Sequence, residues 1–157
     1  MNSIQKILIP IDLDLDSHPI LDLACTVATA FRSKVELIHV FETVGYGGPM
    51  SMEALDDSDP RFQQEMEQWR TYRAMLRLLR ELHGKGIQAR GRMAFGVVEE
   101  TLTSLAREES FDLIVIGSHS REGLDRFVHG SVAGALIRSS PCPVLVLPHV
   151  QDAMPGI

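Results

Sequence analysis

The stretch Gly117–Val132, GSHSREGLDRFVHGSV, follows the apolar run LIVI and carries three glycines and three serines around a few charged residues. A phosphate group is held by several N–H donors converging on it, with little side chain in the way. Glycines meet the second need, and the start of a following helix adds donors and a partial positive charge. Ser131 can offer its hydroxyl at that helix start, and Arg121 and Arg126 can add charge from within the loop. The same composition suits a plain strand-to-helix connection whose glycines only permit turns, so composition alone leaves both readings open. His119 and His129 flank the loop and have the chemistry of an acid, a base or a phosphoacceptor; a hydrogen-bonding role is the simpler one.

Two other clusters could do chemistry. Asp12, Asp14 and Asp16 follow the apolar run KILIPI. They could hold Mg²⁺ beside a phosphate, or be one functional carboxylate with two solvated neighbours. Arg70, Arg73, Arg77 and Arg80 recur at helical spacing, with Lys85, Arg90 and Arg92 nearby. That pattern is either a solvated helix face or a surface for an acidic partner or nucleic acid.

Several activities are not signalled. The chain has no G-x-G-x-x-G, no G-x-x-x-x-G-K-[ST] and no G-x-S-x-G, so neither a nicotinamide enzyme, a P-loop enzyme nor the commonest hydrolase pattern is supported. No nucleophile is visibly matched to a base and an orienting acid. Cys25 and Cys142 lack C-x-x-C spacing and read as small buried hydrophobes. A net charge of -6 over 157 residues argues against general nucleic-acid binding. The apolar runs are too short to cross a membrane, and MNSIQKILIPID is too polar for a signal peptide, so the cytoplasm is the expected compartment.

The elements that must position these residues alternate. KILIPI (6–11) reads as a buried strand, followed by a helix with Ser17 as N-cap and Ile20, Leu23, Ala24, Val27, Ala28 and Phe31 on its inner face. KVELIHVF (34–41) reads as a second strand, with His39 as a half-buried packing residue. Residues 45–60 have the Gly/Pro content and acidity of a mobile loop. The spacing then predicts a long helix from Phe62 to His83, its inner face marked by Phe62, Met66, Trp69, Leu76, Leu79 and His83, with Trp69 anchoring it on the sheet and Gly84 and Gly86 ending it. QARGRMAF (88–95), FDLIVIG (111–117) and PCPVLVLP (141–148) complete five strands. A helix over Val98–Ala106 opens with Glu99 and Glu100, and another is capped by Ser131. The tail 151–157 is expected to fray. Alternating strands and helices imply an α/β fold with a parallel sheet and helices on both faces. Ligands of such sheets bind beyond the strand C-termini, where the strand order reverses, and there Asp12, Val40 and the Gly117 loop should gather.

The chain resembles the universal stress protein family over residues 4–148. Nucleotide-binding members carry G-x2-G-x9-G-[ST] between the fourth strand and the last helix. Gly117, Gly130 and Ser131 match, and Ser120 stands at the second glycine. KILIPID, DLIVIGSH and PCPVLVLP match the surrounding pattern, while Leu13 and Asp14 replace the family's Gly-Ser after the first aspartate. The resemblance implies one nucleotide-binding domain over 1–150, built on an open Rossmann-like sheet of order 3-2-1-4-5. It also implies an ATP-binding regulatory module that takes ATP, or AMP or ADP, with Mg²⁺. Pro10 would shape the first-strand turn, Asp12 receive the adenine or ribose, and Val40 present backbone to the adenine. Gly96 would lie near the ribose, while Gly117, Ser120, Arg121, Gly130 and Ser131 would hold ribose and phosphates. A homodimer through Pro141–Pro148 and a regulatory protein partner are further expectations. The alternatives are a nucleotide-free interaction or chaperone-like dimer, and a slow ATPase or phosphotransfer enzyme.

Overall fold

The computed structural model describes residues 3–13, 17–42, 60–118 and 131–148. Strands β1 (Lys6–Pro10), β2 (Lys34–Phe41), β3 (Ala89–Phe95), β4 (Leu113–Gly117) and β5 (Val144–Leu147) alternate with helices α1 (His18–Phe31), α2 (Pro60–Gly84), α3 (Val98–Glu108) and α4 (Ser131–Ser139). They form one sheet of order β3-β2-β1-β4-β5, as the sequence predicts. Every pairing is parallel, with Lys6 opposite Lys34, Ile7 opposite Leu113, Val35 opposite Ala89 and Ile114 opposite Val144. All strand C-termini therefore lie on one rim. Strand order reverses between β1 and β4, which fixes the switch point there.

Alternation within the strands divides the core into two layers. Ile7, Ile9, Val35, Leu37, Leu113 and Val115 pack with Leu21, Ala24 and Ala28 of α1 and Met75 and Leu82 of α2. On the other face Leu8, Ile38, Ile114 and Ile116 pack with Leu102, Leu105 and Ala106 of α3 and Ala133 and Leu136 of α4. Leu113–Ile116 are all buried, as a central strand requires.

Four sequence expectations need correction. Ser17 precedes α1, and its carbonyl accepts from the Leu21 N–H, but its backbone is in the helical region and its side chain makes no cap bond. The inner face of α1 is Ile20, Leu21, Ala24 and Ala28, and Phe31 is exposed at the helix end. Helix α2 turns Thr71, Met75 and Leu82 inward, while Met66, Trp69, Tyr72 and Leu76 are exposed. Trp69 is 49% exposed and so is not the anchor on the sheet. The side chain of Phe62 lies outside the described residues. Both cysteines are only partly buried. Desolvation raises both thiol pKa values, partly offset at Cys142 by the Ser140 hydroxyl, so the thiols stay protonated near neutral pH.

Arg90 and Arg92 do not belong to a basic patch. They flank Glu36, which is 2% exposed on β2, with both Nε–Oε separations 2.5 Å, and their other nitrogens reach Glu109 beyond the end of α3. Lys6 adds a longer contact to Glu109 at 3.8 Å. Adjacent strands place Glu36 directly opposite Arg90, so a carboxylate that could not be buried alone is held by two guanidiniums. Desolvation works to raise the Glu109 pKa, but the Arg92 hydrogen bond and the charges of Arg92, Arg90 and Lys6 outweigh it and hold the carboxyl below its ordinary range.

Candidate functional site

The candidate site lies on the rim of strand C-termini at the β1/β4 switch. Pro10 ends β1 and sits opposite Ile38 in register. The chain then stays tethered for one more residue, because Ile11 N–H donates to the Ile38 carbonyl at 2.8 Å. His39 fixes the same point from the side: its Nδ1 lies 2.9 Å from the Ile11 carbonyl. A carbonyl only accepts, so Nδ1 carries the proton. His39 is 7% exposed and also meets the Phe41 ring edge-on at 4.7 Å. It is therefore a buried clamp on the turn that presents Asp12, rather than the half-buried packing residue expected. A histidine at the end of an apolar strand, one strand away from a candidate carboxylate, was the signal available.

Asp12 follows, half-buried, with Leu13 beside it. Val40 lies one residue before the end of β2. Gly117 is the last residue of β4, and its neighbour Ser118 donates its N–H to the Leu147 carbonyl at 2.9 Å. With neighbouring strands about 4.8 Å apart, the ends of β2 and β4 flank β1 at a separation of roughly 10 Å. The structure thus brings Pro10, Asp12, Val40 and Gly117 to one place. Gly96 stands at the outer end of the same rim, where it donates to the Phe41 carbonyl at 3.0 Å beneath stacked Phe41 and Phe95 rings. Its φ of 142° is open to glycine alone. Ser120, Arg121 and Gly130, with Arg126, His119, His129, Asp14 and Asp16, lie outside the described residues, as do the acidic loop 45–59 and the tail 151–157. Ser131 is placed as the first residue of α4.

The helix ends around the switch differ in charge. Helix α3, away from the switch, carries Glu99 and Glu100 in its first turn, where they neutralise its N-terminal dipole. Helices α1 and α4 follow the two strands that meet at the switch, and neither has an acidic residue in its first turn. The rim thus places Asp12 just past β1 and Gly117 at the end of β4, the two strands that meet at the switch. Among the described residues no group of three His, Cys, Asp or Glu side chains could hold a metal ion.

The universal stress protein family model matches residues 3–148. The chain belongs to the universal stress protein family. Universal stress protein A homolog 1 of Coxiella burnetii is 31% identical over 145 residues, covering 91% of this chain and 95% of the relative. Universal stress protein UspA of Lactobacillus plantarum superposes with a TM-score of 0.76 at 20% identity, over 94% of this chain and 99% of that one. The structure of protein MJ0577 of Methanocaldococcus jannaschii gives a TM-score of 0.73 at 26% identity, over 96% and 100%. More distant family structures contain cAMP (TM-score 0.65), dAMP in the Archaeoglobus fulgidus protein (0.62) and AMP in an Arabidopsis thaliana protein (0.65). Those three are 15–18% identical to this universal stress protein and speak to its fold alone. No helix among the described residues is long and apolar enough to cross a membrane.

Proposed function

We propose that this universal stress protein binds an adenine nucleotide, ATP in the first place, at the β1/β4 switch and acts as a regulatory module through nucleotide-dependent shape or partner choice. The observation that carries the reading is the meeting of Pro10, Asp12, Val40 and Gly117 at the strand ends around the β1/β4 switch point of a parallel sheet. Asp12 accepts hydrogen bonds from the adenine or ribose, in the turn shaped by Pro10 and clamped by His39. Val40 offers backbone to the base. Gly96 lies toward the ribose. Gly117, Ser120, Arg121, Gly130 and Ser131 hold ribose and phosphates, with Mg²⁺ carried on the nucleotide. Proteins of the same fold that contain cAMP, dAMP or AMP show that such a sheet has room for the adenine nucleotide proposed here.

A homodimer through Pro141–Pro148 goes with this reading. Strand β5 is a sheet edge, paired only with β4, and its Leu145 is exposed. An apolar edge with unused backbone groups favours a second strand.

The experiment is direct. The protein is purified from cells and denatured, and the released small molecules are analysed. ATP supports the regulatory module, and ADP or AMP points to slow hydrolysis. Finding no nucleotide, together with no binding on adding ATP, favours a nucleotide-free interaction dimer, which Leu13 and Ser120 at the family's Gly positions would suit.

A further inference from the structure

Helix α2 and the chain just after it carry a run of basic residues, Arg70, Arg73, Arg77, Arg80, Lys85, Arg90 and Arg92, and the structure divides them. Lys85 pairs with Asp22 and Glu81, and Arg90 and Arg92 are taken up by Glu36 and Glu109. Among the described residues Arg70, Arg73, Arg77 and Arg80 form no ion pair or hydrogen bond. Two of these four, Arg70 and Arg77, line a cavity of about 700 Å³ between α2 and Leu13 of the β1–α1 turn. Gln63, Glu67, Arg70, Ala74 and Arg77 share that wall because a spacing of four, three, four and three residues keeps to one helix face. Arg73 and Arg80 fall off this face and do not line the cavity.

The volume lies within the range of small-molecule sites. Pro10, Asp12, Val40, Gly96 and Gly117 are not among its described lining residues, and Leu13, which directly follows Asp12, is where the cavity adjoins the nucleotide rim. Arg70 and Arg77 are two turns apart, about 10 Å along the axis, and their forked donors suit phosphate oxygens. Glu67, one turn before Arg70, would repel a ligand that is anionic throughout but accept from a hydroxyl. Gln64 and Thr71 add further hydrogen-bonding groups, while Leu13 and Ala74 supply apolar wall.

We propose that this cavity is a second ligand site, which takes a small hydroxylated organic phosphate on Arg70 and Arg77, with its hydroxyl end toward Glu67. The site stands independently of the nucleotide reading. It is tested by calorimetric titration of the full chain with fructose 1,6-bisphosphate as probe, near physiological ionic strength. Arg70→Gln and Arg77→Gln should each weaken binding by about tenfold or more, because each removes a charge-assisted contact, while Arg73→Gln and Arg80→Gln should stay within about twofold. All four arginines are exposed, and unchanged thermal melting of the variants confirms that the fold is intact. Saturating AMP should leave probe binding unchanged. Equal weakening by all four substitutions would mean a diffuse basic surface and overturn the site. Displacement of the probe by AMP would place the cavity within the nucleotide site and overturn its independence. Failure of the wild type to bind the probe would overturn the proposal outright.

Discussion

Gly117 offers a substitution that separates binding from folding. A Cβ built on this glycine meets, beyond its chain neighbours, only Ile20 Cδ1 at 3.8 Å, an ordinary contact. Its backbone is not in the positive-φ region, which among the described glycines holds only Gly86 and Gly96. Gly117→Ala should therefore leave stability unchanged or raise it by about 0.4–1 kcal/mol through the unfolded chain. The same methyl stands where a phosphate or ribose must approach backbone. Displacing the ligand there loosens at least one hydrogen bond to a charged group, worth about 1.5–3 kcal/mol, so affinity should fall roughly ten- to a hundredfold. Gly96→Ala is the contrast: with φ at 142° and Thr101 Oγ1 only 3.1 Å from the new Cβ, strain of about 1–3 kcal/mol should appear in the fold itself. Urea unfolding gives the first quantity and calorimetric titration with ATP the second. If Gly117→Ala binds ATP as tightly as wild type, no ligand approaches that residue and the assignment of the β4 end is wrong.

Three further outcomes are expected. Asp12→Ala should weaken ATP severalfold to tenfold or more, from the loss of about 0.5–1.5 kcal/mol per hydrogen bond; equal affinity would remove Asp12 from the site. Leu145→Lys should convert a dimer to monomer in light scattering. Leu145 is the residue to change because it is exposed, whereas Val144 packs against the core and its substitution would perturb the fold; a monomeric wild type would end the edge-pairing model. The Glu109 carboxyl is held below its ordinary value of 4.5, so its contribution to stability is present above that pH and lost as pH falls through the lower folded value. Glu109→Gln should cost stability near neutral pH, and its denaturation midpoint should converge with that of wild type in acid; curves that stay parallel through the acid range would show that the cluster is not the source.

The layout of strands was legible because each is a short apolar run bounded by Gly, Pro or charge, and five such runs alternating with helices leave few parallel arrangements. The inner face of α2 was not legible. Its apolar residues occupy two rows, Met75–Leu79–Leu82 against the sheet and Met66–Trp69–Leu76 on the outside. Spacing alone gives no means of telling which row a neighbouring sheet will cover, and side-chain size favoured the wrong one. Arg90 and Arg92 read as basic surface because their neutralising partners, Glu36 and Glu109, are 54 and 19 residues from Arg90 in sequence. The rim residues Pro10, Asp12, Val40 and Gly117 were reachable from the switch-point rule. The clamp by His39 was hinted at only by a histidine at the end of an apolar strand, since it depends on a ring nitrogen meeting one carbonyl across two strands.

The central claim is met most directly by calorimetric titration of nucleotide-free protein with ATP and Mg²⁺, wild type beside Ser120→Gly. If binding forces Ser120 into a left-handed conformation, at a cost of about 1–2 kcal/mol, replacing it with glycine should tighten a micromolar wild-type affinity by roughly five- to thirtyfold. Saturable binding of the wild type, tightened by the glycine, is the predicted result. Absence of binding by both proteins would contradict the account, leaving the loop after β4 as a connection between strand and helix.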